Sequence, residues 1–340
     1  MAIRILSPGL FTTVQDLGRT GYQQYGVPVA GAVDARALRL ANLLVGNPED
    51  AAALEITLMP PEIEFTADAV FAVTGGDFAP TLNGGPIPSY AARRARAGDV
   101  LRMSPALSGC RGYIAFTGGL DVPVRMGSRS TYVKAHLGGL EGRPLRAGDE
   151  IGLLPAQEPD NLPARFLPPE RFDAPVKLLR AVPGPQADRF TEAGVEAFFS
   201  CEYAVSDQFD RMGCRLEGAP AAHRTDANII SDGIALGAVQ VPGSGQPIVM
   251  LADRQTTGGY AKIANVISVD LPQIAQCRPG DRVRFRPVSV EEAQRLYLSE
   301  QSALRALAER LNRRAGAEKS LHIHTGGREY YVEIAEIFAE

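Results

Sequence analysis

The densest group of residues that could bind a ligand lies between Ser231 and Asp270. Within it, residues 253–262 read DRQTTGGYAK and lie between two apolar runs, IVML at 248–251 and IANVISV at 263–269, which predict buried strands. Loops held between strands are common places for binding groups. A polar surface hairpin that only turns at its two glycines would give the same pattern. This segment alone therefore leaves both interpretations open.

Composition and charge narrow the class of protein. The chain has 340 residues, 45% hydrophobic and 22% charged, which is long enough for two globular domains. Its 35 basic and 39 acidic residues give a net charge of -4, so no overall basic field would attract nucleic acid or an anionic membrane. No apolar run reaches the length of a membrane span, and Pro8 interrupts the N-terminal apolar stretch before a signal-peptide core could form. We therefore expect a cytoplasmic protein.

The cysteines and histidines do not form a pattern typical of metal binding. The four cysteines are scattered without a C-x-x-C pair, which argues against a zinc or redox motif and favours free thiols: Cys110, Cys201, Cys214 and Cys277. His322 and His324 alternate along a predicted strand and could share a metal, but a third ligand is missing nearby. The sequence therefore predicts no metal site.

Motifs for nucleotide binding and for biotin attachment are also missing. No phosphate-binding loop of the G-x-x-x-x-G-K-[ST] type occurs, and residues 138–143 have the glycines of such a loop without its Lys and Ser or Thr. No segment looks like a biotin attachment site. Nucleotide binding by this chain alone is therefore unsupported, and any biotin would have to arrive on another chain.

Short β-branched runs separated by glycine and proline predict a mainly-β fold with a few helices. One helix is predicted at 35–45 after the N-cap Asp34, and another after Ser289, where Glu292 occupies the capping-box position. Residues 322–334 predict a β-hairpin turned at two glycines. The chain is therefore expected to end in a helix and a hairpin.

A short repeat and a proline-rich segment indicate the domain organisation. The pattern R-[AP]-G-D occurs at 96–99, 146–149 and 278–281, each time before a predicted strand, as in a tight turn that leads into a barrel strand. The proline-rich segment reads as a linker, and the strand after it ends in Pro-Gly as the first strand of the chain does. The predicted divisions are 1–155, a linker at 156–175, 176–288, and a helix with a hairpin at 289–340.

Three stretches together resemble a known family. They are TTVQDLGR at 12–19 with GAVD at 31–34 and ANLLVGN at 41–47, DRMGCRLEG at 210–218, and the whole of 231–270. They resemble the allophanate hydrolase subunit 2 family, also called biotin-dependent carboxyltransferase or the C component of 5-oxoprolinase, and D-R-Q-T-T-G-G-Y is the specific element. The resemblance implies two tandem cyclophilin-like β-barrel domains and one or more partner chains.

The resemblance implies three possible functions. We expect a subunit of an ATP-dependent 5-oxoprolinase that hydrolyses 5-oxoproline to glutamate, with ATP shared with partner subunits A and B. The first alternative is a carboxyltransferase component that moves a carboxyl group from carboxybiotin, on a biotin carrier or carboxylase partner, to urea or a similar amide. The second is a non-catalytic regulator that binds a kinase-inhibitor-like partner.

Both enzymatic functions activate an amide, whose oxygen needs a cation or an N–H donor and whose nitrogen needs a nearby carboxylate. The resemblance makes Asp210 and Lys262 the candidate catalytic residues. The other candidates are substrate-binding residues: Arg211, Gln240, Gln246, Asp253, Thr257, Tyr260, Gln15, Asp16, Arg19 and Asn42.

Structural roles remain open for several of these residues. Asp210 and Arg211 could form an ion pair that fixes a turn, residues 15–19 could lock a turn, and Asn42 could cap or bridge a helix. Phe209 stands where relatives often carry a small hydroxyl residue, which leaves a hydroxyl-assisted step there in doubt.

Overall fold

The strands of residues 2–153 form two sheets around a shared apolar core, and we call them the N-terminal sheets. The computed structural model describes residues 2–159, 161–312, 318–325 and 328–335. The first sheet has the strand order β11-β12-β1-β4-β9-β6-β7 and the second the order β2-β3-β10-β5-β8. The strands are β1 (Ala2–Ser7), β2 (Phe11–Gln15), β3 (Ala53–Thr57), β4 (Glu62–Phe65), β5 (Ala69–Asp77), β6 (Thr81–Leu82), β7 (Gly85–Pro86), β8 (Arg93–Ala95), β9 (Val100–Arg102), β10 (Ser108–Phe116), β11 (Leu120–Asp121) and β12 (Glu150–Leu153).

Strand β5 shows how the N-terminal sheets are buried. Phe71 and Val73 face the core between the two sheets, whereas Val70 and Ala72 face the helix α1 (Ala35–Leu44) on the other side. A strand covered on both faces reads as a continuous apolar run rather than as an alternating one. This explains the uninterrupted sequence of β5.

The second half of the chain forms a closed barrel. The barrel order is β13-β20-β17-β18-β15-β14-β21, and β16 pairs with β19 in a separate two-stranded ribbon. The elements are β13 (Val176–Pro183), α2 (Glu192–Ser200), β14 (Glu202–Phe209), β15 (Gly213–Glu217), β16 (Asn228–Gly233), β17 (Ala238–Gln240), β18 (Ile248–Met250), β19 (Thr257–Tyr260), β20 (Lys262–Val266), α3 (Leu271–Ala275), β21 (Arg282–Pro287), α4 (Val290–Asn312), β22 (Glu318–Thr325) and β23 (Arg328–Ala335).

The predicted mainly-β fold is confirmed, and hydrogen bonding closes the barrel completely in the second half. Both capped helices are also confirmed: Asp34 accepts from the Ala37 amide at 2.9 Å, and Ser289 accepts from the Glu292 amide at 3.1 Å. The C-terminal hairpin is formed by β22 and β23, and its predicted glycine turn lies outside the described residues. Among the helices that the structure describes, none has the length and apolar character needed to cross a membrane.

Two details between 253 and 270 differ from the prediction. The strand expected at 263–269 ends at Val266, because the chain turns into a short 3-10 helix and then into α3, which has a proline at its start. The segment expected to be a loop contains β19, which pairs with β16 rather than with its neighbours in sequence.

The three R-[AP]-G-D turns have the same geometry. In each, the aspartate carboxylate accepts from the backbone amide of the arginine three residues earlier, and the intervening glycine has a φ of 91°, 89° or 90°. The nitrogen–oxygen distances are 2.7 Å for Arg96–Asp99, 2.7 Å for Arg146–Asp149 and 3.0 Å for Arg278–Asp281. Each turn leads directly into a strand, namely β9, β12 or β21, as the repeat predicted.

The proline-rich segment is anchored by a buried arginine. Arg165 is 2% exposed and donates to the backbone oxygens of Leu43 at 2.5 Å, Leu44 at 2.6 Å and Leu311. These oxygens lie at the C-terminal ends of α1 and α4, where helix carbonyls lack partners and the helix dipole is negative. Arg165 therefore joins the two helix ends, while the predicted domain boundaries stay a prediction.

A second buried contact joins the barrel to the N-terminal sheets. Gln276, just after α3, accepts from the amides of Cys110 and Arg111, both at 2.9 Å. Its Nε2 donates to Asp34 at 2.8 Å and to the Arg111 carbonyl at 2.9 Å. Both N–H donors and both acceptor sites of the Gln276 carboxamide are thus hydrogen-bonded. The bonds offset the cost of burying this polar group completely.

Replacing Arg165 by Ala should lower the free energy of unfolding by about 1–3 kcal/mol, because it removes a buried donor from three helix-end carbonyls. Leu43 and Leu311 each keep another donor, whereas Leu44 keeps none among the described residues. Urea unfolding of the full chain would measure this change. The matched control is Arg171→Ala, which removes an exposed arginine from the same segment and should change stability by less than about 0.5 kcal/mol. Equal losses in the two variants would contradict the anchoring role.

Asp34 should make stability depend on pH. Burial raises the pKa of Asp34 to about 7, although the donors at Ala37 and Gln276 favour the ionised form. Because the pKa of Asp34 is higher in the folded protein than in the unfolded chain, protonation of Asp34 stabilises the fold. This contribution is complete at low pH and is lost as the pH rises through 7.

The stability of the wild-type protein relative to Asp34→Asn should accordingly fall by about 3 kcal/mol between pH 5 and 8, at roughly 1.4 kcal/mol per pH unit up to the folded pKa. Urea unfolding of both proteins at several pH values would test this. A difference that is constant with pH would contradict it.

Candidate functional site

A cleft of about 410 Å³ on the outside of the barrel contains several of the predicted residues. We call it the barrel cleft. Its apolar walls include Phe209, Ile248 and Met250, and its polar lining includes Asp207, Asp210, Arg215, Gln240, Gln255 and Tyr260. A larger hollow of about 500 Å³ beside Tyr90 and Arg171 contains none of the predicted residues. The barrel cleft is therefore the candidate site.

Strand register explains why these side chains meet. Residues that lie opposite each other in neighbouring antiparallel strands point to the same face of a sheet. Four residues form a row across the adjacent strands β15, β18, β17 and β20. Each lies opposite the next: Arg215, Ile248, Gln240 and Lys262. Their neighbours Val239 and Val249 belong to the barrel core, so the row faces outward.

Two carboxamides in the barrel cleft have buried atoms that lack hydrogen bonds. Gln240 is only 2% exposed, yet its side-chain Nε2 has no hydrogen-bond partner among the described residues. The buried Oε1 of Gln255 has none there either. Buried polar groups are nearly always hydrogen-bonded, so two unpartnered atoms in one cleft point to a ligand or water.

Asp210 lies at the edge of the barrel cleft and shapes it. Its Oδ1 accepts from the amides of Met212 at 2.7 Å and Gly213 at 3.1 Å, which fixes the turn before β15. Phe209, an apolar wall of the cleft that precedes this turn, is covered by Arg111 of β10. The guanidinium carbon of Arg111 lies 4.8 Å from the ring centroid. The carboxylate of Asp210 is exposed, so a ligand can reach it.

Arg211 does not form the ion pair with Asp210 that sequence suggested, and that alternative was wrong. Its Nε and Nη2 donate to the two oxygens of Asp253 at 3.0 and 2.9 Å, its Nη1 donates to Glu55, and Nη2 also donates to the Gly31 carbonyl at 2.6 Å. Arg211 and Asp253 belong to the barrel, whereas Glu55 lies on β3. Arg211 thus binds the barrel to the N-terminal sheets.

The pKa values of this cluster reflect its charge balance. Burial alone would lower the pKa of Arg211, but the carboxylates of Asp253 and Glu55 raise it above its ordinary value. Burial would likewise raise the pKa of Glu55, but Arg211 and Arg111 hold it below its usual range. Both groups are therefore ionised, and Arg211 and Asp253 are engaged with each other rather than free for a substrate.

Lys262 lies in the same row as Gln240 but does not line the barrel cleft. Its side chain is 4% exposed, and its ammonium group donates to Asp232 of β16 at 3.0 Å. This hydrogen bond lowers the pKa of Asp232, which is itself about half exposed. The catalytic role of Lys262 remains a prediction.

Other predicted residues of the barrel are divided between structural and exposed positions. Gln246 accepts from the Gly218 amide at 2.9 Å and donates to the Gly218 carbonyl at 3.1 Å, so it bridges two turns. Thr257 is exposed on β19. Of the predicted barrel residues, the cleft brings together Asp210, Gln240 and Tyr260.

The predicted residues of the N-terminal sheets form separate polar clusters. Asp16 accepts from the amides of Gly18 at 2.7 Å and Arg129 at 2.6 Å and from the Ser128 hydroxyl at 2.6 Å, so it locks its turn. Asn42 donates to the Ala51 carbonyl at 2.7 Å and therefore bridges the end of α1 to the next strand. Both residues have the structural roles that sequence left open.

Gln15 and Arg19 are fully buried in the same region. Gln15 Nε2 donates to Thr13 at 2.9 Å and to the Thr131 carbonyl at 3.1 Å, and Arg19 donates to the Ser130 carbonyl. Gln15 Oε1 and the Nε and Nη1 of Arg19 have no partner among the described residues. Burial lowers the pKa of Arg19, although Asp16 and Asp253 favour its charged form.

Several residues that shape the site were not predicted. Gln255 lies within the motif that carried the resemblance, so its position could have identified it. Arg215 likewise lies within the stretch at 210–218 that carried the resemblance, so its position could also have identified it. Glu55 was the only charge in the run ALEIT of β3, which could have signalled a buried ion pair. Asp232 and Gln276 gave no signal, because their partners are distant in sequence.

No group of three or more His, Cys, Asp or Glu side chains is placed to hold a metal ion within the part of the chain that the structure describes. The cysteines are free thiols, buried at three of the four positions.

The barrel, the two N-terminal sheets and the polar cleft define the class of protein. A family model for the carboxyltransferase domain, subdomain A and B, matches residues 25–287. The chain belongs to this family.

Relatives within the family are of two kinds. The chain is 40% identical to the C component of 5-oxoprolinase from Escherichia coli over 310 residues, which are 91% of this chain and 99% of that protein. It is 36% identical to urea amidolyase of Lachancea kluyveri over 90% of this chain but only 18% of that protein. The crystal structure of K. lactis urea amidolyase superposes with a TM-score of 0.83 at 33% identity, covering 90% of this chain and 20% of that one.

Replacing Arg211 by Met should lower the free energy of unfolding by about 3–5 kcal/mol, because it leaves the buried Asp253 without its bidentate partner and Glu55 with Arg111 as its remaining nearby cation. The matched control is Arg282→Met, which breaks an exposed pair with Glu202 and should cost less than about 1 kcal/mol. Urea unfolding of both variants would measure the losses. A small loss in Arg211→Met would show that the ion pairs of Arg211 with Glu55 and Asp253 are not needed for stability.

Proposed function

We propose that this chain is a subunit of an ATP-dependent 5-oxoprolinase that hydrolyses 5-oxoproline to glutamate together with partner subunits. The observation that carries the proposal is the correspondence with the C component of 5-oxoprolinase along 99% of that protein's length. Urea amidolyase, by contrast, is matched over only 18% of its length. The partners in this proposal are subunits A and B.

The groups of the barrel cleft suit the opening of a lactam. The ring amide is a poor electrophile until donors stabilise charge on its oxygen, and its nitrogen leaves only when it gains a proton. The buried amide of Gln240 is a donor for the oxygen, and the carboxylate of Asp210 can carry the proton that the nitrogen gains as it leaves. Asp210 is the catalytic residue in this proposal, and Lys262 beside Gln240 is a second candidate for stabilising the oxyanion.

ATP is proposed to bind mainly to the partner subunits, because this chain has no phosphate-binding loop. The overall balance is 5-oxoproline, ATP and two waters to glutamate, ADP and phosphate. One water enters the product as the C–N bond breaks, and the other accounts for ATP hydrolysis. A cytoplasmic location stays a prediction.

A second candidate is a carboxyltransferase component that uses carboxybiotin on a partner and transfers the carboxyl group to urea or a similar amide. The family model and the TM-score of 0.83 with urea amidolyase favour it. Under this proposal the same cleft would bind the acceptor amide, and the biotin carrier would enter from another chain.

Glutamate release from 5-oxoproline by the complex of this chain with subunits A and B should depend on ATP. Asp210→Asn should lower kcat by about 100-fold, because it removes the carboxylate while Oδ1 can still accept the two turn amides. The measurement is glutamate formation at saturating substrate, together with ADP release.

The control is Asp226→Asn, which changes another exposed carboxylate of the barrel and should leave kcat unchanged. Absence of 5-oxoproline turnover with every partner present would refute the proposal. Avidin-sensitive, bicarbonate-dependent activity on urea would favour the carboxyltransferase instead.

A further inference from the structure

We propose that the barrel cleft recognises a cyclic secondary amide that carries a carboxylate, with Gln240 and Gln255 binding the amide and Arg215 binding the carboxylate. This inference rests on the proposed function for the identity of the ligand, and it assigns binding roles to Gln255 and Arg215. Three features of the cleft support it: the two carboxamides, the glycine between them and the strand that carries Arg215.

The two carboxamides complement the hydrogen-bonding edge of a lactam. Gln240 offers a buried Nε2 donor and Gln255 a buried Oε1 acceptor, and neither atom has a partner among the described residues. A five-membered lactam is a cis amide, so its C=O and N–H lie side by side on one edge of the ring. Such an edge can accept from Gln240 and donate to Gln255 at the same time, which relieves the cost of burying both groups unpaired.

Gly258 of β19 keeps open the space between the carboxamides. A Cβ added there would lie 2.7 Å from Gln240 Nε2 and 3.5 Å from Gln255 Nε2, so the two carboxamides flank one point. The same Cβ would lie 2.6 Å from Ile234, which belongs to a buried apolar cluster and cannot move freely. A side chain at 258 would therefore displace the amide of Gln240. The next residue, Gly259, has its nearest atoms at 3.6 and 3.8 Å and can accept a methyl group.

Arg215 lies at a suitable distance to bind the carboxylate of such a ligand. It lies opposite Ile248, which lies opposite Gln240, so the arginine is two strands from the amide group on the same face. Two strand spacings are about 10 Å, a distance that two long side chains can span around a small ring. The planar guanidinium binds a carboxylate through two parallel hydrogen bonds.

Charge in the cleft makes this carboxylate contact specific. Asp207 and Asp210 also line the cleft, so it has no general positive field that would attract an anion. A carboxylate is held there only where it can reach Arg215 directly. The apolar side chains of Ile248 and Met250 then lie beside the ring methylenes. Urea has the amide group but neither the carboxylate nor the methylenes.

Binding of 5-oxoproline, 2-pyrrolidinone, proline and urea would be measured by titration calorimetry, with the full chain and with its complex with subunits A and B, without ATP. We expect 5-oxoproline to bind at least tenfold more tightly than 2-pyrrolidinone, which lacks the carboxylate, and than proline, which lacks the amide. Arg215→Met should weaken binding of 5-oxoproline about tenfold and leave 2-pyrrolidinone unchanged.

The glycines supply a matched pair of variants. Gly258→Ala should weaken binding of both lactams at least tenfold, whereas Gly259→Ala should change it by less than twofold. Gln240→Met and Gln255→Met should weaken both lactams and leave the urea unfolding midpoint nearly unchanged. Wild-type affinity in Gly258→Ala and in both Met variants, or no lactam binding by either the chain or the complex, would overturn the inference.

Turnover and binding together separate this inference from the proposed function. If the complex hydrolyses 5-oxoproline but Gln240→Met and Gly258→Ala keep the wild-type KM, the inference is wrong and the function stands. If the complex does not hydrolyse 5-oxoproline but the binding pattern above is observed, the function is wrong and the cleft still recognises a carboxylated lactam.

Discussion

One buried arginine holds the barrel against the N-terminal sheets. Arg211 binds Asp253 within its own barrel and Glu55 across the boundary, and Arg111 lies close enough to Glu55 to lower its pKa. Two cations and two carboxylates thus balance each other in a region with almost no solvent. Charges buried in this way require fixed geometry, because an ion that loses its partner cannot turn to water. The orientation of the barrel therefore depends on this cluster together with Gln276, whose four hydrogen bonds cross the same boundary.

The barrel cleft lies next to this cluster in sequence and in space. Residues 210 to 213 form the turn at the edge of the cleft. Arg211 lies within that turn, but its side chain points away from the cleft, into the charged cluster. Phe209, a wall of the cleft, is covered by Arg111 from the N-terminal sheets. A displacement of the sheets relative to the barrel would therefore be transmitted to the cleft through both residues. The ligand-binding surface belongs to the barrel, but its shape is set from across the boundary.

Local patterns in the sequence predicted local structure well and non-local contacts poorly. The caps at Asp34 and Ser289 and the three R-[AP]-G-D turns involve neighbours within three residues, so the sequence contains all the participants. The ribbon of β16 and β19 was missed because its pairing joins Asn228 to Tyr260 and its strand TGGY has no β pattern of its own. Asp210 and Gln240 both line the cleft, and their roles there stay a prediction, but the same motifs also contained Arg211 and Asp253, whose partners only the fold reveals. A residue type indicates what a side chain can bind, not which of two nearby partners it has.

The contact of Arg165 with both helix ends has a consequence for synthesis of the chain. Leu304 and Leu311 of α4 belong to the same buried cluster as Leu38 and Leu44 of α1, and the Leu311 carbonyl completes the set that Arg165 binds. A ribosome makes α1 long before it makes α4, because nearly the whole of both β-rich halves lies between them in sequence. Until α4 is made, the side of α1 that packs against Leu304 and Leu311 lacks its cover. Helix α4 therefore covers α1 only late in synthesis, after both β-rich halves have been made.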